Sequence, residues 1–179
     1  KPFKTILLGR HNLENIALAA AVGKIFKVRK TEILKAIKDF KSVEHRLEFV
    51  AKVNGVSFYN DSAATNPDAT LAALKAFDGP INLILGGSDK GLDYRKLANY
   101  ISRSGNIRSV ALIGQIKNKL YKLAKDKKVK KFKSLKDAVL TLYKKSAKNE
   151  IVLLSPAAAS FDMFESYARR GKEFKKLVN

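Results

Sequence analysis

The sequence predicts an α/β fold: a doubly wound, mostly parallel sheet that opens with a β-hairpin and is preceded by a short helical segment. Three observations carry this. From Ile81 onward, apolar runs of strand length alternate with stretches of helical spacing. Between Leu47 and Asn60, two alternating runs flank the pair Asn54-Gly55. Before Lys41 the apolar spacing is helical only.

The first helix is expected over residues 12–26, NLENIALAAAVGKIF, with Asn12 as its cap. A second runs from Thr31, as cap, to Phe40 and gathers Ile33, Leu34, Ile37 and Phe40 on one face. A domain boundary is expected at Lys41 to Glu44, giving a helical unit over 1–43 and an α/β domain over 44–179. In the second part, strands Leu47–Val53 and Val56–Asn60 form the hairpin, because Asn-Gly supplies the positive φ angles of a tight turn. The alternation then runs strand Ile81–Leu85, helix Asp93–Ser102, strand Ser109–Ile113, helix Gln115–Lys125, a short strand near Val129–Phe132, helix Ser134–Lys145, strand Ile151–Leu154 and a helix from Phe161. Such alternation implies right-handed crossovers and a Rossmann-like parallel sheet, broken only by the hairpin.

The 179 residues are 46% hydrophobic, enough for a core. No apolar run is long enough to span a membrane and no leader pattern is present, so a cytoplasmic protein is expected. Cysteine is absent, which excludes disulfides, thiolate zinc sites and thiol nucleophiles. With only His11 and His45 available, a metal cage would have to be mostly carboxylate, and no metal ligand is assigned within the chain. The net charge is +20, and between Lys117 and Lys148 thirteen lysines face only Asp126 and Asp137. Such a surface attracts polyanions. Aromatic residues do not alternate with these lysines, so a solvated helical surface is expected rather than a nucleic-acid interface.

In a doubly wound sheet the ligand edge is built by the loops at the carboxyl ends of the strands, here Asp61–Pro67, Gly86–Gly91 and Ser155–Ser160. Each has an ordinary explanation beside a functional one. The Gly86-Gly87-Ser88-Asp89-Lys90-Gly91 loop is neither a GxxxxGK[ST] nor a GxGxxG motif; its glycines could let backbone N–H groups approach an anion, or merely make a turn. Ser155 to Ser160 could present free N–H groups to a carboxylate, or cap a helix. Asp61-Ser62 with Thr65-Asn66-Pro67 could bind a ligand, or form an Asx turn that starts the next helix.

Taken in order, five motifs resemble one family. They are Gly9-Arg10-His11-Asn12-x-x-Asn15, Glu44-His45-Arg46, Asn60-Asp61-Ser62-x-Ala64-Thr65-Asn66-Pro67, Gly86-Gly87-x-Asp89-Lys90-Gly91 and Leu154-Ser155-Pro156-Ala157-x-Ala159-Ser160. Together they are similar to the Mur ligases over essentially the whole chain. The Asn-Asp-Ser form of the third motif, with Arg170-Gly171 and Phe174 after the fifth, points to the D-glutamate-adding branch.

The resemblance implies an ATP-dependent ligase of peptidoglycan synthesis, and so of cell-wall biogenesis, cell shape and division. Its small-molecule substrates would be ATP, D-glutamate and UDP-N-acetylmuramoyl-L-alanine. The reaction would pass through an acyl phosphate that the amino acid's amine attacks. By the same resemblance Asn12, Asn15, Arg46 and Asp61 hold ATP, while Thr65, Lys90, Ser160, Phe161 and Tyr167 hold the amino acid. The chain would be the C-terminal part of the enzyme, with 1–43 the helical tail of the central ATP-binding domain. The phosphate loop and the Mg2+ ligands would lie upstream, and no catalytic residue is assigned here, so the fragment alone is expected to be inactive. Within the motifs one position departs from the family: Ala63 stands where a lysine is usual, which removes a cationic contact to the amino acid; outside them Tyr167 stands at a family phenylalanine. The competing expectations are another Mur-type or folylpolyglutamate-type ligase domain, or a basic α/β nucleic-acid-binding module.

Overall fold

The computed structural model describes residues 5–179, and the chain divides into two compact units between Val43 and Glu44. The first unit contains α1 (Arg10–Ile25) and α2 (Lys30–Asp39). The cap of α1 is Gly9, at φ 89°, rather than Asn12. Asn12 lies within the first turn, where its side-chain amide donates to Leu8 O at 2.7 Å. The cap of α2 is likewise Arg29 rather than Thr31, and Arg29 reaches Glu32 at 2.6 Å instead of closing a hydroxyl cap. The two helices meet where Gly23 leaves room for Ile33, whose Cδ1 would stand 3.1 Å from a Cβ at position 23.

The second unit is a six-stranded sheet in the order β1-β2-β6-β3-β4-β5, made of β1 (Glu48–Val53), β2 (Val56–Asn60), β3 (Ile81–Gly86), β4 (Ile107–Ile113), β5 (Val129–Lys131) and β6 (Ile151–Leu154). Only β1 and β2 are antiparallel; every other neighbouring pair is parallel. Asn54 and Gly55 take φ 49° and 86°, the paired positive values that match the twist of a hairpin. Every residue of β3 and β6 is buried, which is why both read as mostly apolar runs instead of alternating ones. The polar exception, Asn82 on β3, donates to Ser146 Oγ at 2.9 Å and Glu150 Oε2 at 2.8 Å, so its burial leaves that amide nitrogen satisfied.

The connecting helices are α3 (Pro67–Leu74), α4 (Arg95–Arg103), α5 (Lys117–Ala124), α6 (Leu135–Lys145) and α7 (Tyr167–Val178). Local chemistry starts three of them. Asn66 accepts from Ala69 N–H with Pro67 at the first position of α3, Ser134 caps α6 through Asp137 N–H, and Ser166 caps α7 through Arg169 N–H. The helix expected from Phe161 begins instead at Tyr167; residues 161–166 form turns in which the Asp162 carboxylate is taken up by Gln115 N–H and the Ser88 hydroxyl, and Ser166 is the residue that caps. α3, α4 and α5 pack side by side, and α6 packs with α7. With right-handed crossovers these two groups cover opposite faces of the sheet. One core lies between the sheet and the second group, where Phe58, Ile84, Val152, Leu154, Leu142 and Phe174 are all buried.

The sheet order fixes where a ligand can enter. β2 and β3 lead into α3 and α4, whereas β6, which lies between them, leads into α7 on the other face. The connections diverge at β6 and open a crevice above its carboxyl end, the topological switch point of the sheet.

Candidate functional site

Three loops meet at that crevice: the one after β2 (61–66), the one after β3 (87–94) and the one after β6 (155–166). A single side chain ties them together. Arg170, on the first turn of α7, is only 1% exposed. Its Nε donates to Ser62 Oγ at 2.9 Å and Nη2 to Ser62 O at 2.9 Å. Nη2 also reaches Ala158 O at 3.0 Å, and Nη1 reaches Ala159 O at 3.3 Å and Gly86 O at 3.4 Å. A guanidinium has the forked donor set this requires. Burial lowers its pKa to about 10, opposed by the charge of Asp162. In the sequence Arg170 was visible only as part of an Arg-Gly pair, with no sign that it is the hub.

Asp61 is buried at the mouth of the β2 loop. Oδ1 accepts from Leu47 N–H at 3.2 Å, and Oδ2 accepts from the Ser155 hydroxyl at 2.7 Å, which in turn lies 3.0 Å from Thr70 Oγ1. Burial raises its pKa to about 6; the bonds from Ser155 and Leu47 and the charge of Arg46 pull the other way. The hairpin does bring the neighbourhoods of residues 46 and 61 together, as the Leu47 bond shows. Arg46 forms no ion pair with Asp61 and stays exposed. It is held out by its neighbours: His45 and Leu47 take φ 66° and 44°, a left-handed conformation that costs non-glycine residues on the order of 1–3 kcal/mol each.

His45 is buried, and its Nδ1 accepts from Asn60 Nδ2 at 2.9 Å. That contact assigns the proton to Nε2, which has no hydrogen-bond partner; Glu44 Oε1 lies 3.6 Å away. Burial lowers the His45 pKa against the opposing charges of Glu44 and Glu48, so the ring is neutral at pH 7. Glu44, His45 and Glu48 form the one carboxylate–histidine group among the described residues with the spacing of a cation site. Lys175 already supplies the cation there, with Nζ 2.7 Å from Glu44 Oε1 and 3.0 Å from Glu48 Oε1.

Four of the six backbone N–H groups of the 86–91 loop are engaged within the fold. Gly86 N–H donates to Pro156 O, Ser88 N–H to Ala159 O, Asp89 N–H to Gln115 Oε1 and Gly91 N–H to Asp89 Oδ1, so these donors are already engaged. The glycines answer a packing demand. A Cβ on Gly86 would stand 2.0 Å from Ile113 O, and one on Gly87 2.0 Å from Ala159 O. Lys90, exposed on this loop, remains as its cationic group.

Thr65 is half-buried on the β2 loop. Ser160 is buried, and its hydroxyl has no partner. Phe161 is exposed beside it, and Tyr167 is partly exposed with its ring edge-on to His45 at 6.1 Å. The Tyr167 carbonyl accepts from the Ser62 hydroxyl at 2.8 Å. These five therefore lie on the converging loops and the start of α7. Asn12 and Asn15 lie on α1 of the first unit, half-buried and exposed respectively. Among the described residues, no helix is long and apolar enough to cross a membrane.

The family described as Mur ligase, glutamate ligase domain, matches residues 45–158. A UDP-N-acetylmuramoylalanine--D-glutamate ligase from Caldicellulosiruptor bescii is 45% identical over 174 residues, covering 96% of this chain and 38% of the relative. The chain thus spans well under half the length of the curated relatives it matches. Among solved structures, a UDP-N-acetylmuramoylalanyl-D-glutamyl-2,6-diaminopimelate--D-alanyl-D-alanyl ligase from Acinetobacter baumannii shares the fold with TM-score 0.74 at 17% identity, over 98% of this chain and 38% of that one. A MurF ligase from Thermotoga maritima in complex with ADP does so with TM-score 0.69 at 18% identity, over 95% of this chain and 39% of that one.

Proposed function

Since the chain belongs to the Mur ligase family, we propose that it is the C-terminal portion of a cytoplasmic, ATP-dependent ligase that joins D-glutamate to UDP-N-acetylmuramoyl-L-alanine. The ligase class and the amino acid follow the relative from C. bescii, and ATP follows the ADP complex among the fold's neighbours. The observation that carries the reading to this chain's own residues is Ser160. Its hydroxyl is buried and unpartnered at the switch-point crevice. A folded domain rarely leaves such a group unsatisfied, and a ligand that completes it is the economical explanation.

In this reading Thr65, Lys90 and Ser160 receive the amino acid, with the backbone beside Phe161 and the ring of Tyr167 framing it. An ammonium and two hydroxyls suit a dicarboxylate, because bonds with an ionised partner are about twice as strong as neutral ones. Arg46, permanently charged and held outward, meets the nucleotide phosphates. Asp61 has its two oxygens engaged by Leu47 and Ser155, so it would reach a ribose hydroxyl only through a spare lone pair. Asn12 and Asn15, on α1 of the first unit, are likewise proposed to contact ATP.

Among the described residues, none is arranged to hold Mg2+. The Glu44–Glu48 pair holds Lys175, and Asp61 is spoken for, so no step here is routed through the metal. The chemistry assigned to the whole enzyme is phosphorylation of the substrate carboxylate by ATP. Attack of the amino acid's amine on the acyl phosphate follows, with expulsion of phosphate. The part assigned to this chain is to bind and orient the attacking amine and to cover the nucleotide. The test is phosphate release by the full-length enzyme with ATP and UDP-N-acetylmuramoyl-L-alanine, offered D-glutamate, L-glutamate and other amino acids in turn. Strong dependence on D-glutamate alone supports the reading; release independent of any amino acid rejects it.

A further inference from the structure

Asp162 follows the Ser160–Phe161 pair and belongs to no ion pair among the described residues. Its polar atoms go elsewhere. Oδ2 accepts from Gln115 N–H at 2.8 Å, in the loop after β4. Its backbone N–H donates to Ser88 Oγ at 2.9 Å, and that hydroxyl lies 3.3 Å from Asp162 Oδ1, to which it donates in return. Ser88 N–H donates to Ala159 O at 2.9 Å, so Ser88 grips the chain on both sides of Ser160. Gln115 closes the circuit, since its Oε1 accepts from Asp89 N–H at 3.2 Å. Within the turn, Ser160 O accepts from Met163 N–H and Phe164 N–H. The backbone is shaped around this carboxylate. Gly114 sits at φ 69°, and a Cβ there would lie 2.3 Å from Asp162 Oδ2. The ring of bonds satisfies every group it uses and leaves free the Ser160 hydroxyl that it brackets.

We propose that Asp162 is a positioning residue for the amino-acid substrate: through Ser88 and Gln115 it locks the Ser160–Phe161 turn to the loop carrying Lys90, so that both parts of the amino-acid site are presented as one rigid unit. This rests on the ligase reading above. Asp162 itself makes no claim on the substrate; its effect is transmitted by where it holds Ser160 and Lys90.

The experiment varies amino acid and ATP separately in steady-state assays of the full-length enzyme carrying Asp162→Ala, Asp162→Asn, Ser88→Ala or the Ser88→Ala/Asp162→Ala pair. Losing two or three such bonds is expected to raise the amino-acid KM by roughly 10- to 100-fold in Asp162→Ala. The KM for ATP should stay within about twofold, because the nucleotide groups lie outside the ring. Asp162→Asn, which keeps one acceptor oxygen, should be intermediate. The double variant should be no worse than Asp162→Ala, as residues acting in one circuit are not additive. An unchanged amino-acid KM in Asp162→Ala, or a parallel rise in both KM values, overturns the proposal. Amide exchange on the 179-residue chain gives a second readout independent of turnover: Gln115 should lose protection in Asp162→Ala and largely keep it in Asp162→Asn, and equal protection in wild type and Asp162→Ala also overturns it. Wild-type enzyme that releases phosphate without any amino acid would instead reject the ligase reading, and would be seen before any variant is made.

Discussion

Gly171 and His45 touch so closely that no side chain fits between them: a Cβ at position 171 would lie 2.3 Å from His45 Nδ1 and 3.0 Å from Asn60 Nδ2. Ordinarily glycine inside a helix such as α7 is a liability of about 1 kcal/mol against alanine. Here overpacking, on the order of 1–3 kcal/mol, and loss of the Asn60–His45 bond outweigh that gain. Gly171→Ala is therefore expected to lower the melting temperature by several degrees, roughly 2–4 °C per kcal/mol for a chain of this size. An unchanged or raised melting temperature would show that the ring simply moves aside.

Arg170 makes a sharper case. Lysine keeps the charge and loses the fork, so Arg170→Lys leaves several of the carbonyls of Ser62, Gly86, Ala158 and Ala159 without their donors. The expected loss is about 2–4 kcal/mol. Chemical denaturation of the chain measures it, and a loss below about 0.5 kcal/mol would remove Arg170 as the hub.

Asp61 gives stability a pH dependence of definite sign. Its folded pKa, about 6, lies above the ordinary 3.8, so the folded state holds the proton more tightly. The contribution is fully present below about pH 4 and is lost as pH rises through about 6, a span corresponding to roughly 2–3 kcal/mol. Asn at this position can still accept from Leu47 N–H through its oxygen, and can donate to Ser155 Oγ, whose hydroxyl turns to Thr70. Asp61→Asn should thus gain stability relative to wild type between pH 4 and pH 7. A melting-temperature difference that stays flat across that window would contradict the assignment.

Arg46, exposed and carried by two strained residues, is expected to matter for ATP and little for folding. Arg46→Ala in the full-length enzyme should melt like wild type and lose about 10- to 150-fold in kcat/KM for ATP, the equivalent of one or two charge-assisted bonds. Kinetics within about twofold of wild type would leave Arg46 as a surface charge.

Ala63 tests the amino-acid side by addition. It is half-buried on the β2 loop and supplies no charge. Ala63→Lys places an ammonium on the loop that carries Thr65, and should lower the KM for D-glutamate by roughly 3- to 10-fold, the scale of a partly exposed ion pair. A rise in that KM would mean the site faces another way.

The strands and most helices were legible because their signals are local: Asn54-Gly55 names its own turn, and the short apolar runs of β3 and β6 alternate with stretches of helical spacing. Of the misplaced helix starts, two have a local reason as well. Asn12 and Thr31 have good capping side chains, but the chain enters those helices two or three residues earlier. The site was legible as three loops but not as a mechanism. Nothing in the spacing of Ser62, Gly86, Ala158 and Arg170 announces that one guanidinium reaches all of them, since those contacts span up to 108 residues. For the same reason the glycines at 86 and 87 read equally as an anion approach or a turn, and the close passage of Ile113 O and Ala159 O was invisible.

The central place of β6 constrains how such a chain can be made. It is the last strand to leave the ribosome, yet it lies between β2 and β3 and pairs with both. Until residues 151–154 have emerged, neither the β1–β2 hairpin nor the strands β3 to β5 has the neighbour that completes its edge. Translation of the final segment acts as a zipper that joins two half-sheets at once, and the binding crevice comes into being at the same moment.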